Sequence, residues 1–247
     1  MQRIFLKSNQ IRKSFAILDD DVYHHLFNVC RVNVNSKIEL VVDQKRLLIV
    51  KIESIEKDGF NFIVSDQFNL IQNRTNSVHI IQALPKQDKL SFVSKLCTEI
   101  GVSNIYPIIS DYCDVKILSD SKIKRILATI HSSSKQSKQM SIPNFHSINS
   151  LDAQLKLINF SSHSLCLIAY ESSTKKLSDL ITKNIFDDIY IAIGPEGGFS
   201  SNDLDTLYSF EFKDFSLGSS ILRTEHAAFA AINYIDGYLS NFPKCGV

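Results

Sequence analysis

Hydrophobic and polar positions change rhythm once along this chain. From Arg3 to about Asp66 the apolar residues come in short runs with strand character, at 38–42, 47–52 and 60–64, the last following a Lys57-Asp58-Gly59 turn. One helical stretch, 20–30, interrupts them. A polar segment, 67–76, then separates this β-rich module from a different texture. Beyond it, strands alternate with helices. Residues 78–84 read as a strand, and Asp88 opens a helix whose Leu90, Val93, Leu96, Cys97 and Ile100 follow helical spacing up to Gly101. Further strands are predicted over 105–109, 165–169, 189–193 and 212–217. Helices are predicted over 121–138, with Ile123, Ile126, Leu127 and Ile130 inward, from near Ser200, and over 227–239. Such alternation implies an α/β domain with a mainly parallel sheet covered on both faces. No internal repeat is present.

In a sheet of this kind ligands bind beyond the carboxyl ends of the strands, which directs attention to the loops after Ala169, Ile193 and Leu217. The loop after Ile193 is Gly194-Pro195-Glu196-Gly197-Gly198. Three glycines in five positions permit positive φ and close backbone approach to a ligand, while Pro195 fixes its own φ and removes one donor. An ordinary strand-to-helix turn is the plainer reading of such a loop taken alone. A second strand-to-helix connection, Leu217-Gly218-Ser219-Ser220-Ile221-Leu222-Arg223-Thr224-Glu225, adds glycine and a charged pair. Neither loop has the spacing of a dinucleotide fingerprint or the Gly-Lys-Ser/Thr ending of a P-loop. Arg223 and Glu225 fit two readings by residue type: a Thr224 cap with a solvated Glu225 in the first turn, or a guanidinium placed to stabilise a developing anion.

Bulk properties narrow the classes. The chain has 247 residues, 44% of them hydrophobic, enough for one large domain or two modest ones with real cores. Net charge is +1, so a nucleic-acid partner would need a local basic face. The one candidate is the run Lys122, Lys124, Arg125, Lys135 and Lys138, without an acidic residue between Asp120 and Asp152, together with Arg3, Lys7, Arg12, Lys13 and Arg31. A solvated helix face accounts for such a run equally well. The first residues lack the apolar core of a signal peptide and no run reaches the roughly 20 apolar residues of a membrane span, so a cytoplasmic protein is expected. Five scattered cysteines, without Cys-x-x-Cys spacing, argue for reduced thiols and no structural metal. The adjacent His24 and His25 suit neither two ligands on one helix face nor a catalytic pair.

Taken together, Ile193 with Gly194-Pro195-Glu196-Gly197-Gly198, Leu217-Gly218 through Ile221-Leu222-Arg223-Thr224-Glu225, and Lys95 with Glu99-Ile100-Gly101-Val102 resemble the RsmE family of 16S ribosomal RNA (uracil-N3) methyltransferases, of the SPOUT class. The motifs run in order through nearly the whole chain. The stretch 25–31 is similar to the family's N-terminal basic motif, and Leu84-Pro85-Lys86 to the strand end before the Lys95 helix. The resemblance implies a small PUA-like β-barrel domain over 1–70 and a SPOUT methyltransferase domain with a C-terminal trefoil knot over 74–247, acting as a homodimer on the small ribosomal subunit. It implies S-adenosylmethionine held by Ala169, Ile193, Gly194, Pro195, Glu196, Gly197, Gly198, Leu217, Gly218, Ile221 and Leu222. Arg223 would stabilise the uracil anion, and Glu225 would orient Arg223 or help move the proton. Arg3, Arg31, Lys86, Lys95, Lys135 and Lys138 would face RNA.

The chain also departs from that family. Asn28, Gln139 and Ser220 stand where arginine is usual, Lys135-Gln136-Ser137-Lys138-Gln139 replaces a Glu-Gln-x-Gly-Arg segment, and His226 follows Glu225. Fewer arginines mean fewer bidentate phosphate contacts. Two alternatives therefore stand beside the leading one: a catalytically weakened RNA-binding or ribosome-assembly factor of the same fold, and a SPOUT enzyme modifying another RNA position.

Overall fold

The computed structural model describes residues 1–69, 76–181 and 186–240. Two compact units emerge: Met1–Asn73 with Ser134–Ile142, and Arg74–Ser133 with Pro143–Val247. The return of Ser134–Ile142 to the first unit was not legible as a boundary, because it begins inside the helix predicted over 121–138, with no break in composition there.

The first unit is a six-stranded sheet. Its strands are β1 (Arg3–Leu6), β2 (Ile11–Arg12), β3 (Phe15–Ile17), β4 (Lys37–Val42), β5 (Arg46–Glu56) and β6 (Gly59–Asn69), in the order β1-β4-β5-β6-β3-β2. The β1–β4 pair is parallel and the other neighbours are antiparallel. Among the described residues the pairing is an open path rather than a closed ring, with the two-residue β2 at one end. Period-two alternation puts Leu48, Val50 and Ile52 of β5 and Phe60 and Phe62 of β6 on the buried side, where they meet Ile4, Leu26 and Leu40. The helix expected over 20–30 is a composite: α1 (Asp20–Tyr23), capped by the Asp19 carboxylate accepting from the Val22 N–H, widens into π-helix over His24–Val29. The wider turn still delivers Leu26 to the core.

The second unit is built on a parallel sheet. Its strands are β7 (Ser77–Ala83), β8 (Asn104–Ile109), β9 (Asn144–Phe145), β10 (Asn149–Ser150), β11 (Ser164–Ala169), β12 (Asp188–Ile193) and β13 (Lys213–Phe215). The order is β10-β8-β7-β12-β11-β13, with β9 also beside β8, and every pairing is parallel. Helices α2 (Lys89–Glu99), α3 (Asp120–Gln136), α4 (Leu151–Leu157), α5 (Leu177–Leu180), α6 (Ser201–Ser209) and α7 (Thr224–Leu239) connect or follow the strands. β12 is buried at every position after its first, as expected for a strand covered on both faces. In α3, Ile126 and Ile130 are buried as the periodicity predicts, whereas Leu127 is 40% exposed. The sheet order has one functional consequence. The carboxyl ends of β12, β11 and β13 lie side by side, so the loops that follow all three open on one edge.

The opposite end of the same sheet carries a polar network. The buried His79 of β7 stacks on Tyr190 at 4.4 Å between ring centroids, and its Nε2 bonds Asp188 Oδ1 at 2.9 Å. Asn104 Nδ2 donates to His79 Nδ1 at 2.9 Å, which leaves His79 as the neutral Nε2–H tautomer, and His146 Nε2 reaches Asn104 Oδ1 at 2.8 Å. Burial lowers the His79 pKa from its usual 6.5, against the opposing pull of Asp188; burial and then the neighbouring His79 lower that of His146. Both groups bind protons more readily in the unfolded chain. Their contribution is therefore complete above pH 6.5 and declines as pH falls below it. Thermal unfolding followed from pH 7.5 to 5 should show this decline in the wild type and a shallower one in His79→Gln; parallel curves would contradict the assignment.

Candidate active site

β12 ends where its apolar run meets Gly194, and the chain folds into a tight turn closed by the Gly198 N–H donating to the Pro195 carbonyl at 3.0 Å. Gly198 has φ +73°, a left-handed conformation that glycine adopts without strain. A β-carbon built there would stand 2.5 Å from Glu171 Oε1, and one on Gly194 would stand 3.0 Å from the Gly198 carbonyl carbon. The loop ends firmly at α6. Ser200 Oγ accepts from the Asp203 N–H at 3.0 Å and the Asp203 carboxylate accepts from the Ser200 N–H at 3.0 Å, a capping box. Ser200 Oγ also donates to Asp111 at 2.6 Å.

The second loop joins the first through one side chain. Arg223 is the N-cap residue of α7 but makes no side-chain cap, and Thr224 is the first helical residue. The Thr224 hydroxyl donates to the Gly194 carbonyl at 2.6 Å and accepts from Gln82 Nε2 at 3.0 Å. Thr224 is therefore a tie between loops, not the helix cap its position suggested. These bonds hold the start of α7 against the end of β12.

Between the loops lies a cavity of about 510 Å³, within the range that accepts a cofactor-sized ligand. Its wall includes all of Ala169, Ile193, Gly194, Pro195, Glu196, Gly197, Gly198, Leu217, Gly218, Ile221, Leu222 and Arg223, together with Lys89, Tyr170, Glu171 and Thr224. Arg223 lines the cavity, is exposed and has no acidic partner among the described residues, so its donors are not taken up by a carboxylate of the fold.

Two carboxylates beside the cavity share one ammonium. Lys89 Nζ is 2.9 Å from Glu196 Oε1 and 3.3 Å from Glu225 Oε2. Glu196 also accepts from the Lys86 N–H at 3.1 and 3.3 Å. Burial acts to raise the pKa of both carboxyls but is outweighed, by Lys89 and backbone N–H groups for Glu196 and by its own backbone N–H and Lys89 for Glu225. Both are held below the usual carboxylate value. The Lys89 pKa is raised, first by its bond to Glu196. The expected pairing of Glu225 with Arg223 is corrected here: Glu225 is 7% exposed and turns to Lys89.

The predicted RNA-facing residues divide. Arg3 is corrected, since it is 7% exposed, bonds Glu39 at 2.7 Å and donates to the Lys138 and Gln139 carbonyls, leaving it no role at the surface. Arg31 is exposed in the same unit. Lys138 is exposed and 3.7 Å from Glu39, while burial lowers the pKa of the half-buried Lys135. In the second unit, Lys86 pairs with Asp114 at 2.5 Å and Lys95 with Glu99 at 3.9 Å, both lysine side chains being exposed. Asn28, where an arginine was missing, bonds His24 at 2.9 Å. Cys30, Cys97, Cys113 and Cys166 are free, and Cys245 lies outside the described residues. No group of three or more potential metal ligands occurs among the described residues, nor is any described helix long and apolar enough to cross a membrane.

Residues 72–236 match the family model of an RNA methyltransferase domain, and residues 18–65 match that of an RNA methyltransferase PUA domain. The chain belongs to this RNA methyltransferase family. The methyltransferase is 29% identical over 234 residues to the ribosomal RNA small subunit methyltransferase E of Rickettsia conorii, with 93% of each chain covered. It is 28% identical over 251 residues to the Bacillus subtilis protein of the same name, covering 95% of this chain and 96% of that one. Among solved structures, a ribosomal RNA small subunit methyltransferase E from Neisseria gonorrhoeae bound to S-adenosyl methionine superposes with a TM-score of 0.83 at 25% identity, covering 96% of this chain and 98% of the other.

Among the cavity residues that were not predicted as site residues are Tyr170, Glu171 and Lys89. Tyr170 and Glu171 simply follow a buried strand. Lys89 did leave a signal: it opens the first turn of α2, where the helix dipole opposes a cation, so it needed a compensating partner.

Proposed function

We propose that this methyltransferase moves a methyl group from S-adenosylmethionine to N3 of a specific uridine in the 16S ribosomal RNA of the small subunit. One observation carries the reading: the two strand-end loops line one cavity, and its lining includes a guanidinium, that of Arg223, with no acidic partner among the described residues. The fit is supported by the cradle itself, because β-carbons on Gly198 or Gly194 would intrude on its wall. Bound there, S-adenosylmethionine would supply a sulfonium-activated methyl group. Ala169, Ile193, the 194–198 loop, Leu217, Gly218, Ile221 and Leu222 would hold it.

The remaining work falls to side chains. Uridine N3 lies on the Watson–Crick edge, so the base must be presented unpaired or flipped. Its N3–H would give up its proton to solvent water, the nitrogen would take the methyl group as the sulfur–methyl bond breaks, and S-adenosylhomocysteine would leave. The Arg223 guanidinium, beside O2 or O4, would lower that pKa by stabilising the anion. Arg31, Lys86, Lys95, Lys135 and Lys138 would contact the RNA backbone, the PUA-like module over 1–70 contributing its share. A homodimer is supported by Phe92 of α2 and Phe229 of α7, 43% and 38% exposed on two helices that pack together. A trefoil knot in the 74–247 domain and a cytoplasmic location complete the proposal.

Mass analysis of ribosomal RNA from cells with and without the gene tests it. One N3-methyluridine should disappear from small-subunit RNA, and an unchanged set would remove the proposal. Calorimetry with S-adenosylmethionine would then separate the alternatives: binding would point to another RNA position, and no binding to an assembly factor of the same fold.

A further inference from the structure

We propose that Lys89 is a positioning residue for methyl transfer, its one ammonium fastening the donor-binding loop to the helix start that carries Arg223. The idea rests on the proposed function above and adds a residue to its machinery. Lys89 is at the first position of α2, Glu196 is in the 194–198 loop, and Glu225 is in the first turn of α7, so three separate segments meet at one Nζ. Glu196 is further tied to the Lys86 N–H, and the Thr224 hydroxyl, one residue from Glu225, is tied to the Gly194 carbonyl. The result is a closed polar ring of strand-end loop, α2 start and α7 start.

Arg223 precedes this ring by one residue. It is exposed and makes no cap of its own, so its placement depends on how the first turn of α7 is held. Glu225 Oε2 is buried without a well-directed hydrogen bond and has the Lys89 ammonium as its compensating charge. A buried carboxylate left without such a cation would either move toward water or take up a proton. Either response would disturb the turn that presents Arg223. The other titratable or charged groups near the ring are Lys86, itself paired with Asp114, Arg223, and His226 next to Glu225.

The test compares Lys89→Met, Lys89→Arg and the double variant Lys89→Met/Glu225→Gln. Three quantities are measured: kcat for RNA methylation, Kd for S-adenosylmethionine, and the titration of the Glu225 carboxyl by carbon NMR. In Lys89→Met, kcat should fall 10- to 100-fold, as misplacement of reacting groups does, with a smaller loss in Kd, and Glu225 should protonate at higher pH than in the wild type. Lys89→Arg should restore most of kcat, and Glu225→Gln should recover part of what Lys89→Met loses. The proposal is overturned if Lys89→Met keeps kcat within twofold and leaves the Glu225 titration in place. It is equally overturned if the loss of kcat vanishes at low temperature where the variant is fully folded. Should wild-type protein fail to methylate ribosomal RNA, the methyl-transfer reading fails on its own, and the bridge is still judged by the Glu225 titration.

Discussion

Replacing Arg223 by alanine should slow methylation of small-subunit RNA by about 10²- to 10³-fold, the usual effect of deleting one preorganised donor aimed at developing charge. The reason lies in its surroundings. Many cations in this chain have a carboxylate close by: Arg3 has Glu39, Lys86 has Asp114, Lys89 has Glu196 and Glu225, and Arg125 has Asp88. Arg223 lines the cavity with no acidic partner among the described residues, so its charge is available to a ligand rather than spent on the fold. Removing it leaves no buried carboxylate behind, and stability should change little. Affinity for S-adenosylmethionine should fall less than tenfold, because the rest of the wall remains. Arg223→Lys should keep part of the rate, since it retains the charge but loses the planar fork. Single-turnover methylation alongside calorimetry reads both quantities. Near-normal turnover in Arg223→Ala would take Arg223 out of the mechanism.

Gly198→Ala should abolish most methyl-donor binding, with Kd rising at least tenfold. Two penalties combine there. A φ of +73° costs an L-residue roughly 1–2 kcal/mol, and the new β-carbon would meet Glu171 Oε1 at 2.5 Å, forcing that side chain to swing within the cavity wall. Gly218 separates the two effects. Its φ of +126° strains any side chain, yet a β-carbon there would meet nothing within 4 Å. Gly218→Ala should therefore weaken binding through strain alone, and by less. Adding Glu171→Ala to Gly198→Ala should recover the steric part only. Equal affinities for Gly198→Ala and wild type in calorimetry would show that the loop does not hold the donor.

Much of the fold was legible because burial on both faces writes itself as continuous apolar runs. The core strands β7, β8, β11 and β12 each fall on such a run, and the helix opened by Asp88 begins and ends where its apolar spacing and Gly101 place it. The short elements were not legible. β9, β10, α4 and α5 are two to seven residues long and carry too few positions to establish a period. Leu127 misled for a related reason: it sits at the margin of the apolar stripe of α3, where one residue's rotation decides between core and solvent.

Charged residues were harder still, because a side chain's partner can lie far away in sequence. Arg3 looked like part of a basic face, yet its acceptors are Glu39 and carbonyls more than 130 residues downstream. Glu225 looked like a partner for Arg223 two positions away, but residues at that separation diverge on a helix start, and Glu225 meets Lys89 instead. Thr224 read as a cap and became the tie to Gly194.

By itself, then, the sequence determined the longer strands and helices and where the backbone is free to approach a ligand, because these depend on local periodicity and on glycine's missing β-carbon; which residues would hold a methyl donor came only from the family resemblance. Only the tertiary structure decided which charges are spent and which are free. Placing the ends of β11, β12 and β13 side by side, and the start of α2 against that of α7, is a matter of sheet order and helix packing. That arrangement fixes Lys89 between two carboxylates and leaves Arg223 unpaired at the cavity.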